Sequence, residues 1–442
     1  MTAAVERDGP TAWGQHMQKK LVDGWIAFAL VLVLAQSPGL SSAQTVPPPT
    51  IIAPRVTAPT VFGGESLSRD ALRAQFGYPV YQEVLGEYLL AGRSVIQDKA
   101  LALAWLKKAA DQGNDGAENT LGRLYSGEEG VTQDLAASAD WFRKAGEHGE
   151  GYSRFRLGGM FENGRGVPRD DVQAYKWYVL ATRTPGYPLF RGAVDAAVER
   201  VMHRLTPHQL DEAKALVEAW NPLPPTLAQQ VTDADQASDP QVALRILQPM
   251  AADGQPMAQY MLGLMYDRGN GVARDDIAAA DWYRKAALQN HAGAEIQLAL
   301  LYKNGKGLTK DDAAAAGWLR KAADQNVAAA EGMLGQLYLD GDGVTKDKTS
   351  AVAWLRKGAD AGDAGAQLIL AGLCVEGRDV PKDRAQAYVW ARLAVTYNYT
   401  HNKDVDNDAK GLAATLATGM SPEQVSQADA QVKAWLPLLP AP

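Results

Sequence analysis

One cysteine, Cys374, stands in a chain of 442 residues. No intrachain disulfide can form, so packing and hydrogen bonds must hold the fold together. Cysteine pairs of zinc-site spacing are absent, and so is an H-E-x-x-H run. The six histidines are His16, His148, His203, His208, His291 and His401. His203 and His208 are the closest pair, and Pro207 separates them. They read as surface or cap residues rather than as a metal site. No serine has a lysine three residues on, which removes the S-x-x-K signature of an acyl-transfer nucleophile. There is no excess of bases: the formal net charge is −7, which argues against a nucleic-acid binder. Alternating Val/Ile/Thr patterns are also missing, so no sheet is expected.

What is present is a beat. Trp105, Trp141 and Trp177 stand 36 residues apart, and so do Trp282, Trp318, Trp354 and Trp390. Tyr266, Tyr302 and Tyr338 keep the same interval, as do Asp275, Asp311, Asp347 and Asp383. A fixed period of this size signals a repeat architecture. Within one unit, Ala294, Leu298, Leu301 and Tyr302 share one face of a helix. Glycines in the run NGKGL break that helix. Asp311 or Asp312 then offers a cap for a second helix carrying Ala315, Trp318, Leu319, Ala322 and Ala323. The unit is a helix, a glycine-rich turn and a helix. Alone it cannot bury its apolar face, so neighbours must stack.

The pattern A-x-x-x-L-G-x-x-Y, then G-x-G-V-x-x-D, then W-x-x-K-A resembles the Sel-one-like repeat family, a relative of the tetratricopeptide repeats. Gly122-Arg123-Leu124-Tyr125, Val131-Thr132-Gln133-Asp134 and Trp141-Phe142-Arg143-Lys144-Ala145 carry the likeness well. The resemblance implies an α/α solenoid and protein-binding scaffolds rather than a reaction. The expected fold is all-α, with about seven 36-residue helix-turn-helix repeats in two arrays, each closed by a capping helix. The repeated G-x-G reads as a turn between helices, because a phosphate loop would need a strand before it. Asp340-Gly341-Asp342-Gly343 lacks the distal glutamate of a calcium loop. No cofactor and no metal are expected. Cys374 aligns with the tyrosines and reads as a buried, inert thiol.

Lys19 and Lys20 precede an apolar run at 25–35, too short to span a bilayer comfortably. Ser41 and Ala43 suit a cleavage site before Gln44, so residues 1–43 read as a signal peptide. Met17 is a candidate initiator, and a retained anchor is the alternative. Removing 1–43 takes away three acids (Glu6, Asp8, Asp23) and three bases (Arg7, Lys19, Lys20), so the charge stays at −7. Residues 44–77 form a proline-rich linker, with a short helix possible at 68–76. The first array with its cap covers 78–221, a linker 222–232, the second array with its cap 233–436 and a tail 437–442. A degraded helix pair opens the second array, with Ile246 where the Trp belongs.

One position marks where each array stops. Three residues after the Trp, the interior units carry Lys108, Lys144, Lys285, Lys321 and Lys357, whereas the terminal units carry Leu180 and Leu393. A further helix is expected to cover each leucine. Thr206-Pro207 and Ser421-Pro422 start such helices, and Trp220 and Trp435 close them.

The Trp series is expected to be core, so that Trp318→Ala would cost about 3–5 kcal/mol. Binding would fall on the first-helix face. In the second array that face offers Tyr260, Leu264, Ile296, Leu300 and Leu368, where the first array has Asn119, Arg123, Phe155 and Gly159. The apolar set suits a groove for a partner segment. The alternative is that these residues only pack repeat against repeat. The expected function is an exported, non-enzymatic scaffold in the bacterial envelope or outside the cell. The alternative is a regulatory binding subunit of a polysaccharide or cell-wall enzyme. The expected partner is a protein, with no nucleic acid, and with a membrane touched only through an uncleaved N-terminal segment.

Overall fold

The computed structural model describes residues 64–92, 95–127, 131–184, 191–221, 223–377, 379–398 and 403–439. The expected signal peptide, Met17, most of the expected proline-rich linker, Pro222, His401 and the last residues of the expected tail lie outside the described residues. The described residues form helices and no strand. Helix α1 is Gly64–Gln75, over the stretch where a short helix was possible. The first three repeats pair α2 (Pro79–Ala91) with α3 (Lys99–Ala110), α4 (Asp115–Tyr125) with α5 (Leu135–Glu147), and α6 (Gly151–Asn163) with α7 (Asp171–Thr182). Helices α8 (Arg191–Met202), α9 (Pro207–Glu218), α10 (Leu227–Gln236) and α11 (Pro240–Ala252) follow. The next four repeats pair α12 (Pro256–Arg268) with α13 (Asp276–Ala287), α14 (Ala292–Asn304) with α15 (Asp312–Asp324), α16 (Ala328–Asp340) with α17 (Lys348–Asp360), and α18 (Ala364–Glu376) with α19 (Arg384–Thr396). Helices α20 (Lys403–Ala417) and α21 (Pro422–Ala434) end the chain.

By its internal contacts the chain divides into two compact units. Among the described residues, one runs from Tyr78 to Ala237; the other joins the stretch from Ser238 on to α1 with Phe76 and Gly77. The division falls after α10, beyond the linker expected at 222–232. Helix α10 therefore does not pair with α11 as the opening of the second array. It belongs to the first unit, where Thr226 Oγ1 donates to Gly113 O and Ala228 N donates to Gln112 O, both at 2.9 Å. Helix α11 keeps the repeat register alone: Leu247, the residue after Ile246, is buried.

The turn explains its own sequence. Gly305 ends α14 in the left-handed region (φ 63°), and its N–H bonds Leu301 O. Gly307 is also left-handed, and a Cβ there would fall on the carbonyl of Asp276, at the start of the preceding repeat's second helix. Gly166 and Gly343 meet Leu135 and Asp312 in the same way. Asp311 then caps α15, accepting from Ala314 N at 2.9 Å, while its own N–H returns to Tyr302 O at 3.0 Å. One residue thereby satisfies an orphan amide of the second helix and ties that helix to the end of the first.

The core is set one residue away from the expected place. Trp105, Trp177 and Trp390 are buried, but Trp141, Trp282, Trp318 and Trp354 are only half-buried. In the interior repeats the lysine three positions on lies over the indole, at 3.9 to 5.5 Å from the ring centre. The residue after the Trp points inward, and in five repeats it is Leu106, Phe142, Tyr178, Tyr283 and Leu355. Each faces a first-helix glycine (Gly86, Gly122, Gly158, Gly263 and Gly335), where an added Cβ would come within 2.5 to 2.7 Å of it. The missing side chain lets the two helices close on a large one. The aligned tyrosines are likewise half-buried, whereas Cys374 is buried and burial raises its thiol pKa.

Both array ends are covered, by two helices each rather than one. Leu180 and Leu393 are fully buried. Leu180 shares a cluster with Val217, and Trp220 packs against it. Thr206 with Gln209 and Ser421 with Gln424 form reciprocal capping boxes. Helix α8 adds an ionic tie. Arg200 grips Glu162 with two bonds of 2.7 and 2.8 Å, Arg204 bridges Glu162 and Asp171 at 3.0 Å, and Tyr178 donates to Glu162 at 2.7 Å. Chiefly through Arg200, the Glu162 carboxyl is pulled down to about 2.

The inward residue and the half-buried indole should respond differently to truncation. Leu319→Ala should cost about 2–5 kcal/mol, as for a buried leucine lost from a core. Trp318→Ala should cost less, because Lys321 and water already share its face. Urea unfolding of the two variants against the parent measures both, and an equal or larger loss for Trp318→Ala would restore the indole as core.

Candidate interaction groove

The first helices of the second unit are buried almost all round. Every residue from Ala292 to Leu301 of α14 is buried, and α12, α16 and α18 show similar runs. The five residues expected to form an exposed apolar stripe are therefore not exposed: Tyr260 is 0% accessible, Leu264 5%, Ile296 1%, Leu300 9% and Leu368 0%. The expectation of a free surface is corrected on that ground. A helix apolar on every side needs cover on every side.

Part of that cover is α1. Its Ala71, Leu72 and Ala74, with Phe76 just beyond it, are buried. Phe76 meets Tyr260 edge-on at 6.0 Å between ring centres. Tyr260 in turn stacks on His291 at 4.5 Å. Gly293 makes room for the pair, since a Cβ there would lie 3.1 Å from both Phe76 and Tyr260. His291 caps α14 through Nδ1, which accepts from Ala294 N at 3.2 Å. Gln75 Nε2 donates to Asn326 O at 2.7 Å. Asn326 sits in a left-handed turn between two repeats (φ 59°). In the 36-residue register Asn326 and Asn290 correspond to Gly113, the residue whose carbonyl α10 uses in the first unit.

The corresponding face of the first unit is more open. Asn119, Arg123, Phe155 and Gly159 are all half-buried. Asn119 Nδ2 reaches Glu150 at 3.0 Å and Ser153 at 2.7 Å in the next repeat. Phe155 tilts against Tyr178 at 5.7 Å, and both line a depression of about 220 Å³.

A second recurring feature escaped the motif reading. Gln82, Glu118 and Arg154, and then Gln259, Glu295, Glu331 and Gln367, keep the 36-residue interval, and all are buried. Backward, Arg154 Nε, Gln259 Nε2 and Gln367 Nε2 donate to the carbonyls of Gly146, Ala251 and Ala359, each in the last turn of the preceding helix. Forward, the group meets a residue thirty positions on: Gln112 with Gln82 (2.8 Å), His148 with Glu118 (2.8 Å), Gln289 with Gln259 (2.9 Å) and Gln325 with Glu295 (2.7 Å). Glu331 pairs instead with Lys357 at 2.7 Å. Burial raises the Glu118 carboxyl, and the hydrogen bond to Glu118 raises the His148 imidazole. The signal for these residues was in the sequence, as a polar side chain directly after the first position of each motif, which is alanine in five repeats and Tyr81 and Ser153 in the other two. Among the described residues, no three or more His, Cys, Asp or Glu side chains are grouped to hold a metal. His203 and His208 are exposed.

The Sel1 repeat model matches residues 80–114, 117–150, 151–183, 256–291, 292–327, 328–363 and 364–396, more than half of the chain. The chain belongs to the Sel1-repeat family. The seven segments coincide with the seven helix pairs. Sel1-repeat proteins are scaffolds, generally non-catalytic, and repeats of this type typically bind proteins. One similar solved structure is a protective antigen present in uropathogenic Escherichia coli strains displaying an SLR fold, 27% identical, with 84% of this chain and 87% of that one covered and a TM-score of 0.35. Another is a Sel1 repeat protein from Oxalobacter formigenes, 26% identical, covering 82% and 97%, with a TM-score of 0.37. No curated protein matches.

The Sel1 ladder predicts an effect of pH. Glu295 is fully buried, its Oε1 has no hydrogen-bond partner, and burial lifts its pKa to about 7. Its ordinary value is 4.5. The folded state thus holds a proton that the unfolded state has released, and stability falls as pH rises from 4.5 to about 7. Glu295→Gln, which copies Gln259 and Gln367, should leave stability near the parent's at pH 4.5. At pH 8 it should raise stability by about 1 kcal/mol, the scale of one buried hydrogen bond. Urea midpoints at the two pH values test this, and a variant no more stable than the parent at pH 8 would refute it.

Proposed function

We propose that this Sel1-repeat scaffold is exported and acts outside the cytoplasm by holding a protein partner, without a reaction of its own. The repeat array carries the reading. Its recurring polar and glycine positions are spent on stacking, which suits a surface that presents side chains rather than a pocket that transforms a substrate. Export is supported by the sequence alone: Lys19 and Lys20, the apolar run at 25–35, and Ser41 and Ala43 before a proline-rich spacer. The half-buried face of Asn119, Arg123 and Phe155 is the part of the first unit with room for a partner segment.

Photo-crosslinking in intact cells, with the probe at Arg123 of the full chain, tests the reading together with fractionation. The expected result is a chain in the exported fraction, shortened by the signal peptide, crosslinked to one envelope or extracellular protein. A full-length chain confined to the cytosol, or turnover of cell-wall substrate by the purified chain, would overturn it.

A further inference from the structure

The second unit is built from two distant pieces of sequence. Its array lies in the stretch from Ser238 on, yet an early piece that ends at Gly77 belongs to it by contact. The described part of that early piece is α1 and the two residues after it. It behaves as a ligand would. Leu72 and Phe76, spaced i and i+4, are both buried. The aromatic ring ends the helix against Tyr260. The side-chain amide of Gln75 takes the backbone oxygen of Asn326. Beyond Phe76, Gly77 is left-handed (φ 94°) with open space where a side chain would stand.

Helix α10 repeats the arrangement in the first unit. It too lies outside the repeat motif, and it too docks on the turn between two repeats, through the carbonyls of Gln112 and Gly113. Two helices of unrelated sequence use the same acceptor register. At Gly113 and Asn326 the turn after the second helix is held left-handed, and its carbonyl is taken by a helix from outside the repeat motif. A docking helix that brings one side-chain donor and an apolar face can use it.

We infer that residues 64–76 are a built-in occupant of the Tyr260 groove. In their place the groove takes an amphipathic helix of a protein partner, with apolar residues four apart, the last aromatic, and an amide side chain just before it. This deepens the scaffold reading and rests on it. A tethered segment competes at an effective concentration in the millimolar range, so the groove is closed until that segment leaves.

The probe is a labelled peptide with the sequence of residues 64–77, titrated into the full chain and read by fluorescence anisotropy. The parent chain should bind it weakly, because its own α1 holds the groove. Phe76→Ala should bind it at least tenfold more tightly, and so should Leu72→Ala, a second variant in case the first folds poorly. A peptide carrying F76A should lose at least tenfold against both variants. Circular dichroism confirms that each variant keeps the parent's helix content. Absent binding to folded variants would overturn the inference, and so would equal affinity for parent and variants. Sedimentation of the parent as a dimer that becomes monomeric in Phe76→Ala would also overturn it, since a second copy would then supply the helix. The peptide experiment involves no cellular partner. Its failure beside a positive crosslink at Arg123 would remove the groove and leave the scaffold, whereas success without any crosslink would do the reverse.

Discussion

Neighbouring repeats in this chain meet backbone to backbone. Gly166, Gly307 and Gly343 each lie so close to the first turn of the preceding second helix that no side chain could stand between them. Such a contact cannot be softened by choosing a smaller residue, because glycine is already the smallest. It limits the offset between neighbouring repeats, and the side chains pack around it. The first helix can then come close enough for a glycine to face Phe142, Tyr178 or Tyr283. The aspartate that follows the turn can cap one helix while its own amide bonds the other. Each of these depends on the neighbour being in register, so stability is shared between repeats rather than owned by each.

The buried polar ladder follows from the same spacing. A helix ends with carbonyls that no amide of its own can reach. In the stack, the carbonyls of Gly146, Ala251 and Ala359 are enclosed by the next repeat and must find a donor there. Arg154, Gln259 and Gln367 supply it from equivalent positions. What recurs is reach and donor capacity, not charge, so Arg and Gln both serve. Where the residue is glutamate it has no donor unless protonated. Burial then raises the carboxyl, in Glu118 and Glu331 as in Glu295. The acids are tolerated because His148, Lys357 and Gln325 answer them.

Much of the fold was legible because its determinants are local and repeated. The 36-residue interval, the glycine turn and the aspartate cap all act within one unit, and seven copies make each of them plain. The exchange of lysine for leucine at Leu180 and Leu393 was legible for a related reason: the same position, read across copies, changes only where its surroundings change. The inward residue beside the Trp was named only at Leu319 and not seen as the recurring core position, because it varies among Leu, Phe, Tyr and Ala, whereas the invariant indole is half-covered by a lysine in most interior repeats. Invariance reported a surface pairing there, not depth. The second cap helices, α8 and α20, carry no proline start comparable to Thr206-Pro207 and so left no signal. The pairing of α10 with α11 failed because nearness in sequence was taken for nearness in space; α10 finds its acceptors at Gln112 and Gly113 instead.

The candidate site was half legible for a deeper reason. Apolar residues at Tyr260, Leu264, Ile296, Leu300 and Leu368 can mean either a binding stripe or a covered one, and composition alone does not separate the two. What separates them is a cover, and Phe76 lies 184 residues before Tyr260. Nothing local at either end announces the contact. The polar first-helix face of Asn119 and Arg123 needs no such lid, and it stays half open. At Tyr260 the apolarity of the second array records where the chain has placed its own helix, whereas Leu264, Ile296, Leu300 and Leu368 are buried as repeat packs on repeat. A surface designed around an occupant keeps the chemistry of that occupant: a slot for a terminal aromatic beside Gly293, and a carbonyl at Asn326 set to receive an amide. Those two features, rather than exposed hydrophobicity, define what else could lie there.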